Sequence, residues 1–109
     1  MSKIVVYFRK STNPDKKYMV TIYEGTNRPK TIHFGASGYE DYTIHKDKER
    51  MKRYENRHRS SEKWTKSGIK TAGFWSKWVL WNKTSISASL KDISSRFNIT
   101  IRKTNPPAK

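Results

Sequence analysis

Between Trp64 and Trp81 the chain reads WTKSGIKTAGFWSKWVLW, and this stretch holds all four tryptophans. It constrains the fold more than any other feature, because only 33% of the residues are hydrophobic. A core must form where the large side chains are, and a buried aromatic removes roughly 150–250 Å² from water. Trp75, Trp78 and Trp81 recur at steps of three, and Trp75 to Val79 is a step of four, so the spacing predicts a helix starting near Thr71 and closing at Asn82-Lys83. Phe74, Trp78 and Trp81 form a second apolar row. Such a helix is either the core, the expectation for Phe74, Trp78 and Leu80, or a surface that waits for a partner.

Upstream the pattern changes to alternation. Ile4–Phe8, Tyr18–Tyr23 and Lys30–Phe34 read as strands, the last two joined by the Gly-containing loop Glu24–Arg28 into a hairpin. Gly35–Gly38 breaks the sheet, and Asp41 or Thr43 is placed to cap the next helix. Lys46–Arg59 is rich in helix formers, with Glu49–Arg53 and Glu55–Arg59 as i,i+4 pairs and a thin apolar stripe of Ile44, Met51, Tyr54 and His58. Thr84 or Ser85 then caps a last helix carrying Ile86, Leu90, Ile93 and Phe97, and Asn98–Arg102 reads as a closing strand. The fold class is therefore α+β. A small antiparallel sheet, from the N-terminal strand, the hairpin and a C-terminal strand, precedes about three helices, one of them Trp-rich. A single small basic domain spans residues 1–109, β-rich over 1–35 and helical over 43–97, with an extended tail at 103–109.

Charge speaks to partners rather than to fold. The net charge is +15, well beyond what solubility requires, and it points to a polyanion or an acidic protein surface. Residues 56–109 carry 12 Lys/Arg against 2 Asp/Glu, and thus +10 of that total. In Lys46–Arg59, seven bases against three acids read either as a phosphate-contacting helix or as a solvated face. The candidate polyanion contacts are Lys46, Lys48, Arg50, Lys52, Arg53, Arg57, Arg59 and Lys63. The candidate partner anchors are Trp64, Trp75 and Trp81 with Lys70 and Lys77, since Trp beside a cation suits both an interface and a base-stacking platform.

Catalytic chemistry finds little footing. His33, His45 and His58 are the only near-neutral titrating side chains, and Asp41, His45 and His33 match no metal-ligand spacing. With no cysteine there is no disulfide or thiolate site. The Gly35–Gly38 loop lacks a phosphate-cradling pattern. No signal peptide is expected, nor a run near the roughly 20 apolar residues a membrane span needs. The expectation is a non-enzymatic protein of a reducing compartment, with no cofactor, metal or small-molecule substrate.

The runs Lys30-Thr31-Ile32-His33-Phe34-Gly35, Asp41–Asp47 (DYTIHKD) and Gly68–Ser76 (GIKTAGFWS) carry a resemblance. Over roughly residues 17–97 the chain resembles a family of small basic proteins encoded by large nucleocytoplasmic DNA viruses, including algal and other giant viruses. The resemblance implies a setting: a virion protein assembled in the host cytoplasm or nucleus, part of a larger assembly. The leading expectation is a minor capsid or cementing component that binds neighbouring capsid proteins, its basic surface meeting acidic protein or membrane headgroups. The alternative is a nucleic-acid-binding protein that packages or condenses viral DNA.

Overall fold

In a computed structural model, which describes residues 3–106, three antiparallel strands come first: β1 (Ile4–Lys10), β2 (Lys16–Glu24) and β3 (Lys30–Ala36). A short helix α1 (Tyr42–His45) and the longer α2 (Lys48–His58) follow, and then a 3-10 turn at Lys66–Gly68. Helix α3 (Ala72–Trp75) runs directly into a π-helical segment, Ser76–Leu80. Helix α4 (Ile86–Phe97) and strand β4 (Thr100–Arg102) complete the chain. Pro107, Ala108 and Lys109 of the expected tail lie outside the described residues, as do Met1 and Ser2 of the β-rich segment.

The sheet order is β3-β2-β1-β4. The hairpins pair antiparallel, but β4 pairs parallel with β1, Val6 opposite Ile101. The sheet is thus mixed, not wholly antiparallel. The reason is connectivity: α4 intervenes before β4, and a helical crossover returns the chain in a parallel sense, which a tight turn cannot do. The closing strand also starts later than the pattern suggested. Asn98 is the left-handed cap of α4, with φ 55°.

One face of the sheet, formed by Ile4, Val6, Phe8, Val20, Ile22, Ile32 and Phe34, packs on Ile69, Phe74, Trp75, Val79, Leu80, Leu90, Ile93 and Ile99. The π-helical segment explains how the tryptophan stretch enters this core. In a π turn, residues five apart lie over one another. Phe74 with Val79, and Trp75 with Leu80, have that spacing, and all four are at most 2% exposed. Trp78 and Trp81 are half-buried at its margin. Gly35 permits the close approach of this layer to β3. It holds φ +80°, and a Cβ there would come within 2.8 Å of Leu80 Cδ1.

The caps use the expected residue types, but Asp41 caps the short α1, and the basic helix begins at Lys48 under Asp47, because Lys46 turns left-handed between them. Asp41 accepts from Thr43 N at 2.9 Å at the start of α1, Asp47 from Glu49 N at 3.0 Å at the start of α2, and Ser85 from Ala88 N at 3.1 Å at the start of α4. The expected α2 pairs Glu49–Arg53 and Glu55–Arg59 do not form. Glu55 instead reaches Lys77 across the helical layer, and the i,i+4 ion pair found among the described residues is Arg96–Asp92.

Candidate polyanion-binding surface

Helix α2 contributes a single buried side chain, Tyr54. The Tyr54 ring stacks on Trp81 at 4.5 Å with planes 3° apart, and on Trp64 at 6.3 Å. His45 lies against the same Trp81 ring at 5.4 Å. The second attachment is electrostatic. The Lys77 ammonium meets the Glu55 carboxylate at 2.8 Å and lies 4.5 Å from the Trp78 ring centroid and 5.5 Å from that of Trp64. Together these contacts fix α2 to the core along one edge and leave its other faces in water.

These contacts reassign several expected partner anchors. Trp75 is 0% exposed and donates its indole N–H to the Ile69 carbonyl at 2.7 Å. It is core, its ring centroid 6.4 Å from that of Phe34 within the hydrophobic cluster. Lys77 is 6% exposed and committed to Glu55, so it fastens α2 and does not face a partner. Trp64 and Trp81 are half-buried in the Tyr54 stack, and the Trp64 carbonyl accepts from Trp78 Nε1 at 2.8 Å. Only Lys70 among these five is exposed, and it pairs with Glu24 at 3.3 Å.

The polyanion candidates fare differently. Lys46, Lys48, Lys52, Arg53, Arg57, Arg59 and Lys63 are all exposed. Among the described residues, none of the seven has a carboxylate within ion-pairing distance. At 3.6 residues per turn, Lys48, Lys52 and Arg59 fall on one line of α2, with Arg53 and Arg57 on the opposite flank. Arg50 is the exception. It is half-buried and pairs with Glu40 at 3.2 Å.

Beside that second flank lies a cleft of about 480 Å³ between the end of β3, α2 and the start of α3. Two of its four lysines and arginines are held by carboxylates. Lys17 holds Asp41 at 2.6 Å and also donates to the Tyr39 carbonyl, while Arg50 is held by Glu40. Glu62 lies so close over Gly73 that a Cβ there would meet its Oε2 at 1.7 Å. Burial pushes the Tyr54 phenol up to about 12, Glu62 adds to the rise, and Arg57 opposes it. Glu40, Asp41 and Glu62 share the cleft with its cations, whereas the cations on the outer faces of α2 have no carboxylate in ion-pairing distance among the described residues and are the better anion surface.

The histidines are dispersed. His33 Nδ1 is 2.7 Å from the Ser11 hydroxyl, His45 Nδ1 accepts from Asp47 N at 2.8 Å, and the His58 ring lies tilted against Tyr54 at 4.4 Å. Among the described residues, no group of three or more His, Cys, Asp or Glu is placed to hold a metal ion. No helix among them is long and apolar enough to cross a membrane.

A family model described as a family of unknown function (DUF5754) matches residues 6–58. That span is just under half of the chain. It takes in the hairpins, α1 and α2, and stops before the tryptophan segment. No curated protein and no solved structure matches the chain. The similarity therefore groups the basic helix with the sheet, and brings no residue role with it.

Sequence reasoning identified the basic helix through its composition. It missed two exposed apolar side chains, Tyr39 at 73% and Ile44 at 55%. Ile44 had the spacing of a core residue on α2, but the left-handed Lys46 ends α1 and turns Ile44 outward.

Proposed function

We propose that this protein is a non-enzymatic, polyanion-binding component of a virus particle, and that nucleic acid is the polyanion. The observation that carries the reading is the set of exposed cations on α2, Lys48, Lys52, Arg53, Arg57 and Arg59, that lack carboxylate partners among the described residues. Such a surface neutralises phosphates and releases counterions, giving affinity without sequence preference. The virus setting comes from the resemblance of the hairpin, DYTIHKD and GIKTAGFWS runs.

The test is the salt dependence of binding to a 20-base-pair duplex, read by fluorescence anisotropy. Each phosphate neutralised contributes about 0.9 to the slope of log K against log salt. The triple variant Lys48→Ala, Lys52→Ala, Arg59→Ala should shallow that slope by about 2 to 3, and alanine keeps the helix intact. A wild-type affinity indifferent to salt would sink the reading, as would a triple variant with an unchanged slope.

A second reading, a minor capsid or cementing component, is favoured by Tyr39 and Ile44, whose exposure beside α2 suits docking on a neighbouring shell protein. Purified particles separated into shell and genome-containing core distinguish the two. Retention with the shell at a fixed ratio to the major capsid protein after nuclease treatment supports cementing, and departure with the genome supports packaging.

A further inference from the structure

The face of the sheet turned away from the helices carries a different surface. By the strand register, Arg102, Tyr7, Thr21 and Thr31 form one row across it, and Arg9, Met19 and His33 the next. None of these residues belongs to the core cluster. Thr21 and Met19 are at most 7% exposed: Thr12 of the β1–β2 loop donates to the Met19 sulfur at 3.9 Å and Ser11 meets His33, while the larger Tyr7, Tyr23 and Arg9 stay half-exposed. Tyr7 and Tyr23 lie 5.5 Å apart with planes at 80°, so each ring braces the other upright against the sheet.

No paired position on this face holds a carboxylate. Arg9 and Arg102 flank Tyr7, with backbones roughly 8 Å apart on ordinary strand geometry. Arg9 spends one donor on the Tyr7 carbonyl at 2.9 Å, which leaves the rest of its guanidinium for a ligand. A second copy of this face would bring arginine against arginine, so self-association is disfavoured. Tyr7 between two arginines, with Tyr23 beside it, on a face whose paired positions hold no acid, suits bases that stack and phosphates that pair.

We propose that this open sheet face binds single-stranded nucleic acid, with Tyr7 and Tyr23 as stacking surfaces and Arg9 and Arg102 as phosphate contacts. The inference rests on the polyanion reading above and deepens it: α2 supplies affinity for any phosphate chain, and the sheet supplies preference for unpaired bases. A duplex keeps its bases stacked inside, so it can use α2 but not these tyrosines.

The test compares fluorescein-labelled dT20, rU20 and a 20-base-pair duplex on the full chain carrying Tyr7→Leu, Tyr23→Leu or Tyr7→Phe. The Leu variants should lose about tenfold in affinity for the single strand and less than about twofold for the duplex. Tyr7→Phe should retain single-strand affinity, because the ring and not the hydroxyl stacks. Thermal melts check that each variant is folded, and Arg102→Ala, at an exposed edge position, gives a second readout: a shallower salt slope on the single strand alone. The tighter of dT20 and rU20 identifies the natural strand. Leu variants that keep single-strand affinity, or lose it equally for the duplex, overturn the inference while the α2 reading stands. Absence of wild-type binding to all three overturns both.

Discussion

Lys77 separates the structural account from an interface account most cleanly. Its side chain is 8% exposed and its partner Glu55 is 23% exposed, so the pair at 2.8 Å is mostly but not wholly withdrawn from water. Removing one member of a fully buried pair costs about 3–5 kcal/mol. Glu55 can partly rehydrate, which brings the expected cost of Lys77→Met to about 2 kcal/mol; the methionine stem keeps the packing on Trp64 and Trp78 while the cation–π attraction, about 0.5–2 kcal/mol, is lost. Near 100 residues, 2 kcal/mol lowers Tm by roughly 8–16 °C. Glu55→Gln alone should cost about 1 kcal/mol, and the double variant should cost less than the sum by about 1 kcal/mol, because both changes break one contact. Denaturant unfolding followed by far-ultraviolet circular dichroism measures all three without relying on the tryptophans beside the site. Duplex affinity of the folded variants should be nearly unchanged. If Lys77→Met is as stable as wild type within 0.5 kcal/mol, at about the precision of such measurements, yet binds its partner more weakly, Lys77 belongs to an interface and the assignment to the core is wrong.

Two further perturbations test other parts of the molecule. Tyr54 ionises at about 12 in the fold against an ordinary 10.0, so the folded state holds its proton longer than the unfolded one. The stabilisation is complete below pH 10 and is lost as pH rises toward 12, an alkaline loss of about 3 kcal/mol at 1.36 kcal/mol per unit. Tyr54→Phe keeps the stack on Trp81 and should flatten the denaturation midpoint between pH 9 and pH 12; an unchanged profile would refute the burial argument. Gly35→Ala places a Cβ at 2.8 Å from Leu80 Cδ1 with φ at +80°, and should cost about 2 kcal/mol or more in a thermal melt, where a neutral result would mean that β3 can relax.

Much of the architecture was legible because it rests on local periodicity. The alternation in Tyr18–Tyr23 and Lys30–Phe34 was enough to place the hairpin, and β2 and β3 contain those runs. Helix α4 was equally plain, with Leu90 and Ile93 buried and Ser85 as its cap. The tryptophan segment was legible as core for Phe74 and Leu80, but Trp75 was expected at an interface and its geometry was not foreseen. Steps of three and four imply an α-helix, whereas the observed π turn stacks residues five apart, and no local residue pattern announced that widening. Hence Trp75 was expected to lie near Trp78 and Trp81, yet it is 0% exposed while those two are half-buried.

The charges divide in the same way. Composition by itself determined the excess of positive charge, because +15 is a property of residue counts and survives any fold. Which cations are free to meet an anion was decided in three dimensions. Lys17, Arg50 and Lys77 are bound by Asp41, Glu40 and Glu55, the first two across a cleft and the third across the helical layer, while Lys48, Lys52 and Arg53 on the wet side of α2 are not. Ion pairing depends on a few ångströms between residues distant in sequence, and the exposure of Tyr7, Tyr23 and Arg9 depends likewise on the hydrophobic cluster lying on the opposite face of the sheet. Local periodicity carries most strands and helices and residue counts carry the sign of the charge, whereas the π widening and the choice of which aromatics and cations stay at the surface depend on contacts between distant residues.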